Sequence, residues 1–291
     1  MKITNKLGLP SPFVEAVSKD YQYKEKQYSV TALLKGVREA ILQRRHNEEI
    51  EQDCSEMAWA IFGTAVHSIL ENAQEMADEL KETKLITELP NGYKLSGVFD
   101  LYKESTATVV DYKTATVWKV IYNDWDDYRK QLLIYCWQLR QIGFEANSGE
   151  IVAFLKDHSK SKAKHDSSYP QQPIYIKHFD FTEEDFKEIE AFIIDRFEII
   201  EACENLSDDE LPVCTPAERW HKDDTYAVKK DGRKTAIKVC NSSEEAYAYI
   251  ADNNLDNKHY VEERLGADTK CDEYCSCCEY CSYWRQNHDS K

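Results

Sequence analysis

Residues 85–113 constrain this chain most. Three short strands are expected there, around Leu85–Leu89, Tyr93–Tyr102 and Thr106–Lys113, with Pro90-Asn91-Gly92 closing the first two into a hairpin. A strand meander needs a second layer to cover its apolar face, and helical periodicity on both sides offers one. Upstream, the segment from Ser29 to Arg45 sets Leu33, Leu34, Val37 and Ile41 at helical spacing. A second helix following Gly63-Thr64 would gather Val66, Ile69, Leu70, Ala73, Ala77 and Leu80 on one face. Downstream, a helix from Tyr128 to Ile142 presents Tyr128, Leu132, Tyr135 and Leu139. Strands near Ile151–Leu155 and Ile174–Phe179 flank a basic loop, Lys156–Lys164, and Glu183–Cys203 reads as an amphipathic helix capped by Thr182.

The remainder reads as a small α+β appendage. Tyr226–Lys230 and Thr235–Val239 are strand-like and joined by Asp231-Gly232, Ser243–Ile250 is a short helix capped by Ser242 or Ser243, and Tyr260–Arg264 is a further strand. The expected division is a helical segment over 1–60, a core over 61–205 and the appendage over 206–291. Hydrophobic residues make up 42% of the chain, enough to bury a sizeable core. No apolar run is long enough to span a bilayer and the N-terminus lacks a signal-type stretch, so a cytoplasmic protein with no membrane association is expected. The charge, 37 − 53 = −16, argues against a protein that coats nucleic acid by charge alone. It is compatible with an enzyme that needs only a local positive groove. Ten cysteines are few for this length, yet five of them, Cys271, Cys275, Cys277, Cys278 and Cys281, fall within eleven residues. Such clustering points to metal binding rather than to disulfides.

The chemistry concentrates at two strand ends. Asp100 closes Lys94–Asp100, and Asp111 and Lys113 close Ala107–Lys113, where alternation puts both on one face. If the strands are neighbours, Asp100 reaches Asp111, and two hard carboxylates suit Mg²⁺ or Mn²⁺. A nearby lysine can orient water or stabilise developing charge. His67 could be an ordinary helix histidine or a metal ligand; Glu71, one turn on, and Glu88, on the preceding strand, are further candidates. Gln131 and Tyr135 share a helix face at i and i+4.

Taken together, Gly63-Thr-Ala-Val-His67, Gly97-Val-Phe-Asp100, Asp111-Tyr-Lys113 and Gln131-Leu-Leu-Ile-Tyr135 resemble the ordered motifs of the RecB-like branch of the PD-(D/E)XK nuclease superfamily. Ser29-Val-Thr-Ala-Leu-Leu-Lys35 and Thr215-Pro-Ala-Glu-Arg-Trp220 extend the likeness to phage-encoded exonucleases of that branch. The resemblance implies an α/β (α+β) fold, a restriction-endonuclease-like core with a mixed central sheet flanked by helices. It implies a Mg²⁺- or Mn²⁺-dependent DNA exonuclease acting in recombination, replication or repair, with a recombination or replication protein as partner. The alternatives are a CRISPR-associated-type RecB-like endonuclease and a catalytically degenerate DNA-binding recombination protein. His67, Asp100, Asp111 and the Tyr112 backbone carbonyl would hold the metal, with Lys113, Gln131 and Tyr135 completing the catalytic set. Lys156, Lys160, Lys162 and Lys164 are candidate DNA contacts, as is the run Lys229, Lys230, Arg233 and Lys234. Cys271-x₃-Cys275-x₅-Cys281 resembles a tail that holds a [4Fe–4S] cluster in several RecB-like nucleases, with Cys214 as fourth ligand, or Cys54 in its place; zinc is the alternative metal.

Overall fold

A computed structural model of the chain describes residues 1–18, 22–74 and 76–288. The chain forms two compact units, Met1–Leu206 and Ser207–Lys291. Along the first unit run β1 (Lys2–Thr4), α1 (Ser11–Val17), β2 (Gln27–Ser29), α2 (Val30–Leu33), α3 (Val37–Arg45), β3 (Glu51–Asp53) and α4 (Ala58–Glu71). There follow β4 (Glu79–Glu88), β5 (Lys94–Lys103), β6 (Thr108–Ala115), α5 (Val117–Ile121), α6 (Asp126–Gln141), β7 (Ser148–Leu155), α7 (Lys160–His165), β8 (Ile174–Asp180) and α8 (Glu183–Ala202).

A six-stranded mixed sheet in the order β2-β5-β6-β7-β8, with β4 also paired to β5, forms the centre. β4 runs antiparallel along the whole of β5, from Glu88↔Lys94 to Glu79↔Lys103. The other edge of β5 is shared. Parallel β2 takes Lys94–Ser96, and antiparallel β6 takes Leu101–Lys103. Residues 97–100 of that edge therefore face a fork between two strands.

Helix α6 covers the sheet and buries every residue from Gln131 to Leu139. Two glycines let it approach. A Cβ on Gly149 would lie 2.9 Å from Leu132 Cδ1, and one on Gly97 would lie 2.4 Å from Gln138 Oε1 and 2.9 Å from Tyr135 Cε1. Gln138 in turn donates to the Leu95 carbonyl at 3.0 Å, tying α6 to β5. Phe99, Tyr102, Leu132, Ile134 and Ile151 are fully buried between these layers, each contributing roughly 1.5–3 kcal/mol of transfer free energy. Helix α8 begins with a capping box, Thr182 with Asp185, and Asp185 also pairs with Arg129 of α6 at 2.5 Å.

Four local expectations change. The helix expected over Ser29–Arg45 is two helices, because Ser29 caps α2 by accepting from the Ala32 amide and Gly36 is extended before α3. The helix expected after Gly63 instead starts at Ala58 and stops at Glu71. Ala73 and Ala77 lie beyond it, and Leu80 is a strand residue opposite Tyr102. Pairing with β5 outweighs the helical spacing there. The basic loop contains α7, capped by Ser159. Asp231-Gly232 opens a longer connection than a tight hairpin, since pairing resumes only at Lys238.

The second unit comprises β9 (His221–Lys222), β10 (Thr225–Lys230), β11 (Lys238–Cys240), α9 (Ser243–Asp252), β12 (His259–Arg264), β13 (Ala267–Asp268), α10 (Thr269–Glu273) and α11 (Ser282–His288). β10 lies between β11 and β12, and α9 closes a small core of Val228, Cys240 and Ala246 with Tyr226, Ile250 and Val261 around it. Among the described residues, no helix is long and apolar enough to cross a membrane.

Candidate active site

The β5–β6 ladder ends at Leu101↔Val110, so the next pair across it would be Asp100 and Asp111. The strands part at that step. The Tyr112 amide donates instead to Asp100 Oδ2 at 2.6 Å, bridging the opening through a side chain. In a strand, the N–H and C=O of one residue share an edge, so the Tyr112 carbonyl also faces β5. On β6, Lys113 Nζ lies 2.6 Å from Asp111 Oδ2, as the alternation of side chains requires. Helix α4 brings His67 Nδ1 to 3.1 Å from Asp100 Oδ1, and the imidazole meets the Tyr112 ring edge-on at 6.4 Å.

Asp100 and Asp111 are buried. Burial pushes the Asp111 carboxyl above the usual carboxylate range, Lys113 opposes that shift, and Asp100 adds to it. Burial also works against charge on Lys113, but Asp111 and Asp100 outweigh it and leave the ammonium harder to deprotonate. The hydrogen bond to Asp100 raises the His67 pKa against its own burial. Carboxylates withdrawn from water in this way are poorly solvated as anions, and a bound cation would favour their charged form.

Sequence reasoning missed one member of this group. Glu82 sits on β4 opposite Asp100 of β5, between the pairs Lys81↔Leu101 and Thr83↔Phe99, and the pair itself is broken. Its backbone is left-handed, with φ of 44°, uncommon for a non-glycine residue and costly to hold. Ligand atoms of His67, Glu82 and Asp100 all lie within 4.8 Å of one another. Burial raises the Glu82 pKa, with Asp100 and Glu71 adding to it. The signal was available: a hairpin turning at residues 90–92 with Glu88 opposite Lys94 puts position 82 opposite position 100. Glu88 itself pairs with Lys94 at 3.9 Å near the turn, at the opposite end of β4.

Gln131 and Tyr135 are buried on α6, with Gln131 Nε2 donating to Tyr135 Oη at 2.9 Å. Burial pushes the Tyr135 hydroxyl up to about 12, and Asp111, Lys113 and Asp100 all act on it, which places it beside the carboxylates. Tyr135 also lines a cleft in the β5 fork with Lys24, Lys84, Ser96, Gly97 and Val98. Lys156, Lys160, Lys162 and Lys164 are exposed, the last three on α7. In the second unit, Lys229 is paired with Glu262 at 2.8 Å.

None of the ten cysteines forms a disulfide. Burial pushes the Cys271 thiol up to about 12, and Cys275, Cys214 and Cys281 all add to the shift, so each of the three lies within reach of Cys271. Cys275 and Cys277 have sulfurs 3.5 Å apart. Cys54 is buried in the first unit, where its thiol meets Asn5 Oδ1 at 3.4 Å.

No family model matches the chain, and no curated protein matches it. Solved structures do. One, SSO0001, is 20% identical, with 67% of this chain and 83% of that one covered at a TM-score of 0.46. An alkaline exonuclease from Laribacter hongkongensis is 13% identical, covering 61% and 89% at 0.35. A phage related exonuclease from Haemophilus somnus is 12% identical, covering 66% and 79% at 0.29.

Proposed function

We propose that this chain is a divalent-cation-dependent nuclease that hydrolyses DNA phosphodiester bonds, working as an exonuclease. The observation that carries this reading is the convergence of Asp100, Asp111 and Lys113 where β5 and β6 part, with His67 and Glu82 facing Asp100. The carboxylates of Glu82, Asp100 and Asp111 and the backbone carbonyl of Tyr112 would offer hard oxygen donors that suit Mg²⁺, and the His67 imidazole, a softer donor, would suit Mn²⁺. A divalent cation held there lowers the pKa of water and screens the phosphate charge. Lys113 keeps its proton because Asp111 and Asp100 surround it, so its ammonium is available to the charge that develops on a phosphoryl oxygen. Tyr135 stays protonated near neutral pH, so it offers a hydroxyl donor rather than another anion to an incoming phosphate. Gln131 fixes that hydroxyl through its own hydrogen bond. Lys24 and Lys84 line the adjoining cleft, where a phosphate backbone would meet positive charge.

End-labelled single- and double-stranded DNA, incubated with Mg²⁺ or Mn²⁺, tests the reading. Mononucleotides released progressively from an end are expected, and Asp111→Ala or Lys113→Ala should abolish release while the protein stays folded. Undiminished cutting by both variants would refute the assignment. Cutting at internal positions of a closed circle would replace exonuclease with endonuclease.

Cys214, Cys271, Cys275 and Cys281 are the residues that would hold a [4Fe–4S] cluster in the second unit, as a staple for a segment with little core of its own. Among the described residues no three cysteine sulfurs lie within 4.8 Å of one another. Tetrahedral zinc with Zn–S bonds of about 2.3 Å would draw its sulfurs to about 3.8 Å. Zinc, which the same four thiolates could also bind, is the alternative metal.

A further inference from the structure

Helix α4 is apolar, Ala58-Trp-Ala-Ile-Phe-Gly-Thr-Ala-Val-His-Ser-Ile-Leu-Glu71, yet none of its residues is buried. Trp59 is 60% exposed and packs edge-on against the exposed Phe62 at 6.3 Å. A second exposed pair, Trp118 of α5 and Tyr122 at its C-terminal cap, is stacked at 5.6 Å with 19° between the rings. Exposed aromatic surface of this extent on a folded chain marks a binding face.

Its position follows from contacts along the helix. His67 meets Asp100, a Cβ on Gly63 would lie 3.8 Å from Thr114, and Trp59 lies under the Lys156 ammonium at 3.9 Å. So α4 runs from the carboxylates across the C-terminal ends of β6 and β7. Eight residues separate His67 from Trp59, about 12 Å of helix. The second pair is tied to the same corner, because the Lys156 amide donates to the Ala115 carbonyl at 3.0 Å and Asp157 accepts from the Val117 amide at 2.8 Å.

We infer that Trp59 and Phe62, with Trp118 and Tyr122, form a stacking platform for the unpaired bases of a single DNA strand led to the active site. A single strand exposes base faces along its whole length, whereas a duplex covers all but those of its terminal pairs. Charge complements the rings: Lys156 lies on Trp59, and exposed Lys160, Lys162 and Lys164 follow on α7. The choice of DNA as occupant rests on the nuclease reading, but the test measures binding and not cutting.

The Asp111→Ala variant of this chain, which is expected not to consume its ligand, is titrated with a fluorescent oligo(dT), an abasic strand of equal length, and a blunt duplex. Oligo(dT) should bind roughly tenfold or more tighter than the abasic strand. Adding Trp59→Ala and Phe62→Ala should erase that difference, Trp59→Phe should keep most of it, and Lys156→Ala should weaken both single strands alike. Equal affinity for dT and abasic strands in the Asp111→Ala protein would overturn the platform, and decides the matter even if the multiple variant does not fold. A concentration-dependent dimer dissolved by Trp59→Ala would assign the face to a second copy and also overturn it. Failure of hydrolysis alone, with the base dependence intact, would instead count against the nuclease reading.

Discussion

Exchanging Glu82 removes a carboxylate held opposite Asp100 on a strained backbone. Glu82→Gln should raise the Mg²⁺ or Mn²⁺ concentration needed for half-maximal cutting by roughly tenfold or more, with a smaller change at saturating cation. Titrating each cation against cleavage checks this; an unchanged requirement would remove Glu82 from the site. Gly97→Ala addresses a different constraint, since its Cβ would press on Gln138 and Tyr135. Overpacking of this kind costs about 1–3 kcal/mol, so urea unfolding should show a lower midpoint, with activity reduced through the displaced Tyr135. At this scale strand alternation in the sequence set Asp111 and Lys113 on one face, whereas the approach of Asp100 depended on β5 and β6 being neighbours. Glu82 needed the register of β4 against β5, and only counting outward from residues 90–92 shows it.

Among elements, α8 shows how local signals persist. Thr182 caps it as its residue type suggests, with Asp185 completing the box, and Asp185 also binds Arg129. These bonds, Arg129 foremost, hold the Asp185 carboxyl down at about 2 from an ordinary 3.8. A depressed carboxylate contributes stability that is fully present above its unfolded pKa and is lost as the pH falls through its folded one. Thermal midpoints should therefore drop between about pH 4 and pH 2 more steeply in the parent than in Asp185→Asn, which is less stable at neutral pH by about 1 kcal/mol. Parallel melts of the two proteins across that range decide it. Helix α4 behaves in the opposite way. Its apolar spacing predicted a packed face extending to Leu80, but β5 claims Leu80 as a strand residue and the helix itself stays exposed. Periodicity cannot distinguish a face that packs on the core from one kept open for a ligand.

Over the whole molecule, a net charge of −16 requires that the proposed DNA substrate be held locally and with help from cations. Removing divalent cations with a chelator should stop cutting, and adding back Mg²⁺ or Mn²⁺ should restore it, as a loss-and-rescue assay will show. In the second unit, anaerobically purified protein should carry a broad visible absorption band that Cys214→Ser and Cys271→Ser each remove. A colourless protein with stoichiometric zinc would refute the cluster. By itself the sequence determined the β4–β5 hairpin, the strands that carry Asp100, Asp111 and Lys113 (though β5 and β6 run on past them to Lys103 and Ala115), and the Thr182 cap of α8, because these depend on alternation, turn chemistry and hydrogen bonds a few residues apart. The tertiary structure alone decided that β2 and β6 divide one edge of β5, that Glu82 turns toward His67 and Asp100, and that the aromatics of α4 face solvent. Those outcomes depend on which distant segments compete for the same backbone groups and the same apolar surface, and that competition is resolved only when the chain packs.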